Sequence, residues 1–331
     1  MAPMNKPELI VLSGLPGSGK STYAKAWLSE DPDARVRINY DEMRLARFGP
    51  NWTFNRKQED EVKLAAIRTA SESIAAGLSV VIDNTNLPRR VRAEWETLGA
   101  HLGATVIEEE IDTPIDVCIA RDRARLNREG GRVGRAVIEM MALRYGFIDW
   151  NDYDGQFVIV DIDGTVADCS HRLHHINPAP HDDQCNKIHC TCLLRGYKPK
   201  KNWPAFQATV DQDKPIMPVI NLIRRLGECC YPNSRGCSCD PKPIAHTIFV
   251  TGRDTSIGIQ TEDWLYKHGL YPTMLLMRNS GDHRPDVEVK KDILDLLPKE
   301  RIAYVIEDRD RCVQLYRENG LTVLQPANGA Y

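Results

Sequence analysis

Short apolar runs alternate with longer amphipathic segments along the chain, and this alternation occurs as two separate series. In the first series, runs with strand character lie at Leu9–Leu12, Arg35–Ile38, Leu78–Ile82 and Thr105–Ile107. Segments with helical periodicity lie at Lys20–Leu28, Asp60–Ala76, Arg89–Leu102, Ile115–Asn127 and Arg135–Arg144. Because apolar runs separated by helices are typical of parallel strands covered on both faces, this series predicts a parallel sheet flanked by helices.

The second series begins after a polar, turn-forming stretch at 151–155, which predicts a domain boundary. Its strand-like runs lie at Phe157–Val160, Thr247–Val250, Met274–Met277, Ala303–Ile306 and Thr322–Leu324. Its helical segments lie at Ile216–Leu226, Ile259–His268, Val287–Leu296 and Arg311–Asn319. Since 331 residues suffice for two cores, we predict an α/β protein with two doubly wound parallel-sheet domains, at 1–152 and 153–331.

Two stretches of the second series fit neither a strand nor a helix period. The first, at about 168–214, is rich in His, Cys and Pro, and the second, at about 228–242, is rich in Cys. Stretches of this length inside a compact domain are usually lids, caps or metal-bound modules. We therefore expect an inserted Cys/His-rich cap and a separate Cys-rich insertion.

The composition excludes several classes of protein. With 42% hydrophobic and 27% charged residues and no apolar run of about 18 residues, the chain is expected to be globular and cytoplasmic, without membrane contact. Acidic and basic residues nearly balance in each half, so any contact with a polynucleotide would depend on a local patch. The 10 cysteines are expected to be reduced thiols or metal ligands.

A phosphate-binding loop follows the first strand. The sequence GLPGSGKS matches the phosphate-loop pattern and stands between a predicted strand and a predicted helix. Its backbone N–H groups would surround phosphate oxygens, Lys20 would bridge the β- and γ-phosphates of ATP, and Ser21 would hold Mg²⁺. The residues assigned to this site are Gly14, Pro16, Gly17, Ser18, Gly19, Lys20, Ser21 and Thr22.

An acceptor site is predicted after the second strand. Asp41 could take the proton of an incoming hydroxyl group, and Arg44, one helical turn later, could orient the same group. The alternative is that Asp41 only caps the following helix. A cluster of arginines between Arg121 and Arg132 also suits a lid that stabilises charge over the nucleotide, although a solvated basic helix face would have the same pattern.

Two aspartates end the first strand of the second series, in the sequence VIVDIDGT. The pattern Asp-x-Asp-Gly-Thr resembles the signature of the haloacid dehalogenase superfamily. The resemblance implies that Asp161 is the nucleophile and Asp163 the acid and base, and that both lie at a Mg²⁺ site completed by Asp308. It also implies phosphate contacts from Thr251, Gly252, Arg253 and Lys290, with Lys291 as the neighbouring alternative to Lys290.

Together, the two halves resemble the polynucleotide kinase-phosphatases of the T-even phage type. The resemblance runs from about Glu8 to the C-terminus. It implies ATP-dependent phosphorylation of 5′-hydroxyl ends of RNA or DNA, Mg²⁺-dependent removal of 3′-phosphates through an aspartyl-phosphate, a functional link to a ligase and a homo-oligomer. A phage origin would place the protein in the host cell cytoplasm. The resemblance also implies Asp41 as the base, Arg44 as the residue that positions the acceptor, and Arg128 as the lid arginine, with Arg132 and Arg125 as competitors.

Three departures from that family leave residue roles open. The acidic residue expected before Thr-Asn-Leu falls on Asn84, while Asp83 lies one position earlier, so either could act at the acceptor side. Glu307 replaces an aspartate and could lie outside the metal site. Cysteines in the two irregular stretches could bind a structural Zn²⁺ or be free thiols. The candidates are Cys185, Cys190, Cys192, Cys229, Cys230, Cys237 and Cys239.

Two other functions are compatible with the same catalytic groups. A nucleoside or metabolite kinase fused to a small-molecule phosphatase would need the same residues around phosphorus. A non-catalytic nucleotide sensor is a further alternative, although the presence of Asp41, Asp161 and Asp163 argues against it.

Overall fold

The computed structural model describes residues 6–50, 52, 55–125, 131–177, 201–226, 245–327 and 329. The chain forms two compact units. The first runs to Val133 and includes Tyr145–Phe147, and the second comprises Gly134–Arg144 and the residues from Ile148 onward. Each unit contains a parallel sheet with helices, as the alternation predicts.

The sheet of the first unit has four parallel strands in the order β2-β3-β1-β4. They are β1 (Glu8–Ser13), β2 (Arg35–Ile38), β3 (Ser79–Ile82) and β4 (Thr105–Glu110). The helices are α1 (Lys20–Glu30), α2 (Tyr40–Phe48), α3 (Arg56–Ala75), α4 (Arg89–His101) and α5 (Ile115–Ala124). Leu9 and Val11 of β1 belong to one hydrophobic cluster, whereas Ile10 and Leu12 belong to another, because successive side chains point to opposite faces of a strand.

The sheet of the second unit has five parallel strands in the order β11-β10-β5-β8-β9. They are β5 (Gln156–Val160), β8 (Ala245–Asp254), β9 (Met274–Arg278), β10 (Ile302–Ile306) and β11 (Val323–Leu324), and a separate antiparallel pair consists of β6 (Ala167–Asp168) and β7 (Lys214–Pro215). The helices are α6 (Arg135–Arg144), α7 (Trp203–Gln207), α8 (Met217–Leu226), α9 (Gly258–Lys267), α10 (Asp286–Leu294) and α11 (Asp310–Glu318). Because β5 lies between β8 and β10, the ends of these three strands meet at one edge of the sheet.

The fold class is confirmed, but several elements differ from the predicted ones. α7 is short and is not predicted, whereas α2 is predicted only as the helix that follows Asp41, without an end. β4 extends through Glu108–Glu110 because it is an edge strand, where charged residues are tolerated. β8 continues to Asp254, so Thr251 and Arg253 lie within the strand rather than after it. The predicted cap and Cys-rich insertion lie largely outside the described residues.

Helix α6 packs into the second unit, although the sequence boundary at 152/153 assigns it to the first. Arg135 is 3% exposed and binds Glu139 at 2.7 Å and the backbone oxygen of Thr273 at 2.7 Å. Glu139 in turn accepts a hydrogen bond of 2.7 Å from the backbone N–H of Leu275 in β9. Met140 and Leu143 join a hydrophobic cluster of the same unit. The second core therefore requires residues 134–144.

We expect Glu139→Ala to destabilise the second unit and leave the first unchanged. The substitution leaves the buried Arg135 guanidinium without its carboxylate, and breaking a buried pair in this way costs about 3–5 kcal/mol. Urea unfolding followed by limited proteolysis and mass spectrometry would resolve the two units. Glu96→Ala, at an exposed position of α4, is the matched control. Loss of stability in the first unit alone would contradict the placement of α6.

Candidate active sites

The phosphate loop connects β1 to α1, where the sequence places it. Gly17 has a φ of 83°, and a Cβ there would lie 2.4 Å from the backbone oxygen of Cys118. A side chain at this position is therefore excluded both by the backbone conformation and by α5. The loop is held from outside by Thr113 and Arg121, which donate hydrogen bonds of 2.8 and 3.0 Å to the backbone oxygen of Ser18.

Lys20 lies inside the phosphate loop and contacts its backbone. The Nζ atom donates to the backbone oxygens of Gly14 at 2.9 Å and Leu15 at 2.7 Å. The residue is 7% exposed. Burial lowers the pKa of Lys20 to about 8, although the nearby Asp83 carboxylate opposes the shift. A phosphate group in the loop would give the Lys20 Nζ atom a negatively charged partner in place of neutral backbone oxygens. This would favour the ammonium form of Lys20.

Asp83 follows β3 and is 1% exposed. It accepts hydrogen bonds from Ser21 at 3.1 Å, from Arg37 at 2.6 and 2.8 Å, and from Asn39 at 3.2 Å. Its carboxylate therefore lies beside Ser21, the residue predicted to hold the magnesium of ATP. Arg37 is a site residue that the sequence analysis did not identify, because an arginine inside a strand has no distinguishing local pattern.

The predicted acceptor residues lie at the start of α2. Asn39, not Asp41, caps this helix, since its side chain accepts a hydrogen bond of 3.0 Å from the backbone N–H of Glu42. The Asp41 side chain is 77% exposed and pairs with Arg44. Arg44 also binds Glu59 through two contacts of 2.5 and 2.8 Å. The alternative role of Asp41 as the helix cap is therefore wrong, and its carboxylate is open to solvent.

Asn84 faces the same helix. Its side-chain oxygen accepts a hydrogen bond of 3.0 Å from the backbone N–H of Tyr40. Its Nδ2 atom is buried and has no hydrogen-bond partner among the described residues. The geometry thus separates the two open candidates, with Asp83 at the phosphate loop and Asn84 at the start of α2.

The predicted lid arginines are only partly described. Arg128 lies outside the described residues. Arg125 lies 3.9 Å from the buried carboxylate of Asp122, which also accepts a hydrogen bond of 2.9 Å from the backbone N–H of Val133. The Nε atom of Arg132 is buried without a hydrogen-bond partner in the described part of the chain. The structure does not select the lid arginine from these three.

The acidic cluster of the second unit is formed at the ends of β5 and β10. Oxygen atoms of Asp161, Glu307 and Asp308 lie within 4.8 Å of one another, and all three residues are buried. Lys290, on α10, is fully buried and donates to Asp161 at 2.7 Å and to Glu307 at 2.6 Å. Lys291 is exposed and pairs with Asp295, so Lys290 is the lysine of this site. Glu307, which the sequence left open, lies inside the cluster.

The cluster has the chemistry of a divalent cation site. Burial, followed by repulsion from the Glu307 carboxylate, raises the pKa of Asp161. Carboxylate oxygens are the ligands that Mg²⁺ prefers, and a cation there would relieve this repulsion. The donor set of Asp161, Glu307 and Asp308 therefore fits Mg²⁺, and Lys290 contacts both Asp161 and Glu307.

The Asp163 carboxylate is not part of this cluster and instead contacts two arginines. Arg253 donates to it from Nη2 at 2.7 Å, and Arg172 donates from Nη2 at 2.5 Å. Both arginines also bind Asp213, at 2.6 and 2.7 Å. Although burial opposes the shift, the charges of Arg253 and Arg172 hold the pKa of Asp163 below its usual range. In this structure the Asp163 carboxylate is thus held by arginines, and its role as a metal ligand stays a prediction.

The predicted phosphate contacts lie on β8, beside β5. Thr251 is fully buried, and its Oγ1 atom accepts a hydrogen bond of 3.3 Å from the backbone N–H of Arg253. The pairing with β9 is irregular between Thr251 and Asp254, and such irregularities commonly redirect side chains next to active sites. A Cβ at Gly252 would lie 2.2 Å from Asp286, which also lies 3.5 Å from Lys290. Asp286 therefore excludes a side chain at position 252.

Arg172 and Asp213 are the main site residues that the sequence analysis missed. They belong to a stretch without strand or helix periodicity, and 41 positions separate them. Arg172 is 1% exposed and Asp213 is 3% exposed. Charged residues are rarely buried in this way without a partner, and the partner is known only once the fold brings the two together. The candidate zinc ligands, Cys185, Cys190, Cys192, Cys229, Cys230, Cys237 and Cys239, lie outside the described residues.

No helix in the described part of the chain is long and apolar enough to cross a membrane.

The affinity of the first unit for ATP should fall as the pH rises above about 8, by up to about tenfold per pH unit. The free loop holds Lys20 with a pKa of about 8, and the triphosphate prefers the ammonium form, so the proton must be regained on binding at higher pH. Calorimetric titration from neutral pH upward would measure the effect. Lys20→Ala should bind more weakly and lack this dependence, and a wild-type affinity that stays constant with pH would contradict the assignment.

Arg172→Gln should lower the kcat for hydrolysis of p-nitrophenyl phosphate by at least about tenfold. The pH below which activity declines should also rise, because Asp163 loses one of the charges that depress its pKa. Arg172→Lys should recover part of the activity. Arg224→Gln, which removes an exposed guanidinium that donates to the backbone oxygen of His268, is the control. An unchanged pH profile would show that Arg172 does not act through Asp163.

Comparison with known proteins supports two different families for the two parts of the chain. Residues 9–148 match the model of the AAA domain family, and residues 204–331 match the model of the polynucleotide kinase PNKP phosphatase domain. The first match includes α6, which packs in the second unit. The second begins after Asp161 and Asp163, although β5, which leads to them, is in the same sheet as β8 and β10.

Curated relatives include a protein of Autographa californica nuclear polyhedrosis virus, provisionally named a bifunctional polynucleotide kinase/RNA ligase. It is 23% identical over 328 residues, covering 94% of this chain and 41% of the viral protein. The Arabidopsis thaliana transcription factor bHLH140 is 31% identical over 143 residues, covering 41% of this chain and 14% of that protein. This chain therefore spans less than half the length of either relative.

A solved structure of the Pnkp1/Rnl/Hen1 RNA repair complex contains a chain that is 22% identical to this one. The match covers 98% of this chain and 97% of the other, with a TM-score of 0.39. Residues 9–148 are therefore similar to the AAA domain family, and residues 204–331 are similar to the polynucleotide kinase PNKP phosphatase domain.

Proposed function

We propose that the chain is a bifunctional enzyme that repairs nucleic-acid ends, phosphorylating 5′-hydroxyl groups with ATP and removing 3′-phosphates. The observation that carries this proposal is the presence of two phosphoryl-transfer sites of opposite chemistry in one chain. One is a phosphate loop closed around Lys20, and the other is an acidic cluster closed around Lys290. The second unit matches the phosphatase domain of polynucleotide kinases, which supports a polynucleotide rather than a metabolite as the substrate.

In the kinase reaction, the 5′-oxygen attacks the γ-phosphorus of ATP and ADP leaves. The exposed Asp41 carboxylate accepts the proton of the hydroxyl group, while Arg44, fixed by Glu59, positions the acceptor. Lys20 and the loop bind the β- and γ-phosphates, and Ser21 with Asp83 provides oxygen atoms for the magnesium of ATP. Asn84 offers its buried Nδ2 group to the acceptor side.

In the phosphatase reaction, an Asp161 oxygen attacks phosphorus and the bond to the 3′-oxygen breaks. The leaving oxygen takes a proton from Asp163, and Asp163 then takes a proton from the water that releases phosphate from Asp161. Arg172 and Arg253 keep Asp163 ionised in the free protein, which suits the second step. The negative charge of the bound phosphate raises the pKa of Asp163 and thereby favours the protonated form that the first step needs.

A Mg²⁺ ion at the cluster would supply positive charge that reduces the repulsion between the Asp161 carboxylate and the phosphate. Asp161 and Asp308 would hold it. We expect Thr251 and Lys290 to contact the phosphate oxygens. The products, a 5′-phosphate and a 3′-hydroxyl end, are the substrates of a ligase, and the name of the viral relative joins a polynucleotide kinase to an RNA ligase. We accordingly propose RNA or DNA ends as substrates and a ligase as the next enzyme.

The substrate class is tested by supplying radiolabelled ATP with 5′-hydroxyl RNA, 5′-hydroxyl DNA or free nucleosides, and 3′-phosphate oligonucleotides or nucleoside 3′-monophosphates. We expect both activities on the oligonucleotides, with kcat/KM higher by at least about tenfold than on the monomers. Reaction with monomers alone would instead establish a metabolite kinase fused to a small-molecule phosphatase.

Two single substitutions serve as internal controls for this test. Lys20→Ala should abolish the kinase and spare the phosphatase, because Lys20 contacts only the first site. Asp161→Asn should abolish the phosphatase and spare the kinase, since an amide cannot form the aspartyl-phosphate. Loss of both activities from either change in a folded protein would contradict two independent sites.

A further inference from the structure

The short helix α7 presents an exposed indole ring on a fixed backbone. Asn202 caps the helix by accepting a hydrogen bond of 3.1 Å from the backbone N–H of Ala205, and Pro204 lies in the first turn. Phe206 anchors the helix from below and is 4% exposed, whereas Trp203 is 46% exposed. The two rings meet edge to face, with centroids 5.8 Å apart. These contacts hold the helix in place, while nearly half of the Trp203 surface stays exposed.

This helix is joined to the catalytic carboxylate by consecutive contacts. The Arg172 guanidinium lies 4.0 Å from the centre of the Phe206 ring and donates a hydrogen bond of 3.2 Å to the Phe206 backbone oxygen. The same guanidinium contacts Asp163 at 2.5 Å. Trp203 is thus separated from the acid/base residue only by Phe206 and Arg172. Because two side chains link this exposed ring to Asp163, we expect the ring to meet the part of the substrate that carries the phosphate.

The surroundings of Trp203 are cationic and aromatic. The Lys201 Nζ atom lies 5.5 Å from the centre of the indole ring. The backbone N–H of Asn202 donates a hydrogen bond of 2.8 Å to the backbone oxygen of His175, whose ring lies 3.9 Å from that of His174. Proteins that bind single strands combine aromatic rings, on which bases stack, with positive charges that attract the phosphate backbone. Trp203 and Lys201 provide both.

We propose that Trp203 stacks on the terminal base of a single-stranded 3′-phosphate end and that Lys201 attracts the adjoining backbone phosphate. This inference rests on the proposed phosphatase function of the same unit and adds the part of the substrate that the site recognises. Every base has an aromatic face, whatever the sequence. The contact therefore selects a nucleotide end over a small phosphomonoester without selecting a particular base. The rigid ring makes the contact at a low cost in conformational entropy.

The test compares kcat/KM for a single-stranded 3′-phosphate oligonucleotide with kcat/KM for p-nitrophenyl phosphate. For Trp203→Ala the ratio of oligonucleotide to small substrate should fall by about tenfold or more, as expected for the loss of one base stack. Trp203→Phe should restore most of the ratio, whereas Trp203→Leu, which is apolar but cannot stack, should not. Tyr271→Ala removes another exposed aromatic ring of the same unit, 53% exposed, and should leave the ratio unchanged.

A second measurement changes the substrate, with the wild-type protein and with Trp203→Ala. An oligonucleotide whose terminal nucleotide lacks its base should lose about the same factor as Trp203→Ala, and combining the two should cause little further loss. An unchanged ratio in Trp203→Ala, equal rescue by Leu and Phe, or no effect of the missing base would each overturn the stacking role. If wild-type protein hydrolyses p-nitrophenyl phosphate but no 3′-phosphate oligonucleotide, the proposed function itself is wrong.

Discussion

The arrangement of the second unit depends on the burial of several carboxylates at one end of a parallel sheet. Asp161, Glu307 and Asp308 are between 0% and 4% exposed, and their mutual repulsion would be severe without compensating charge. The buried Lys290 supplies part of that charge, and its position on α10 in turn requires Asp286 and the side-chain-free position at Gly252. Lys290 and Asp286 in α10 and Gly252 in β8 therefore all relate to the charge of the buried carboxylates.

The neighbouring carboxylate meets the same requirement in a different way. Asp163 is compensated by two arginines that also share Asp213, so four charges of alternating sign form a closed set. The two aspartates of the Asp-x-Asp pair consequently acquire opposite pKa shifts, upward for Asp161 and downward for Asp163. Groups whose surroundings separate their pKa values in this way are suited to different tasks in one reaction.

The sequence predicted best what depends on neighbours along the chain. The phosphate loop, the Asp-x-Asp pair and the strands that lead to them are local patterns, and each lies where it was expected. Lys290 was distinguished from Lys291 only by the structure, because both occupy one helix and differ in the face they present. Asp83 and Asn84 were likewise adjacent in sequence, and only the position of Ser21 separated their surroundings.

What the sequence did not predict depends on contacts over long separations. Arg172 and Asp213 lack a motif, and their meeting requires the path of the irregular stretch between β6 and β7. The helical periodicity of α6 was predicted, but the sheet that it covers was not. That sheet is identified by the hydrogen bonds that join Arg135 to the Thr273 backbone and Glu139 to the Leu275 backbone, more than 130 positions away.

The two sites differ in the sign of the charge that they concentrate, and this difference suits the opposite reactions proposed for them. In the first unit a lysine inside a loop of backbone oxygens has its pKa lowered by burial, so an incoming triphosphate improves its surroundings. In the second unit three clustered carboxylates face one lysine, so a cation improves theirs. A kinase must bind a nucleotide that already carries its phosphate and metal, whereas a phosphatase with an aspartate nucleophile must first neutralise that nucleophile before a phosphate can approach. The positive charge of Lys20 therefore suits a triphosphate, and the negative charge of the acidic cluster suits a cation.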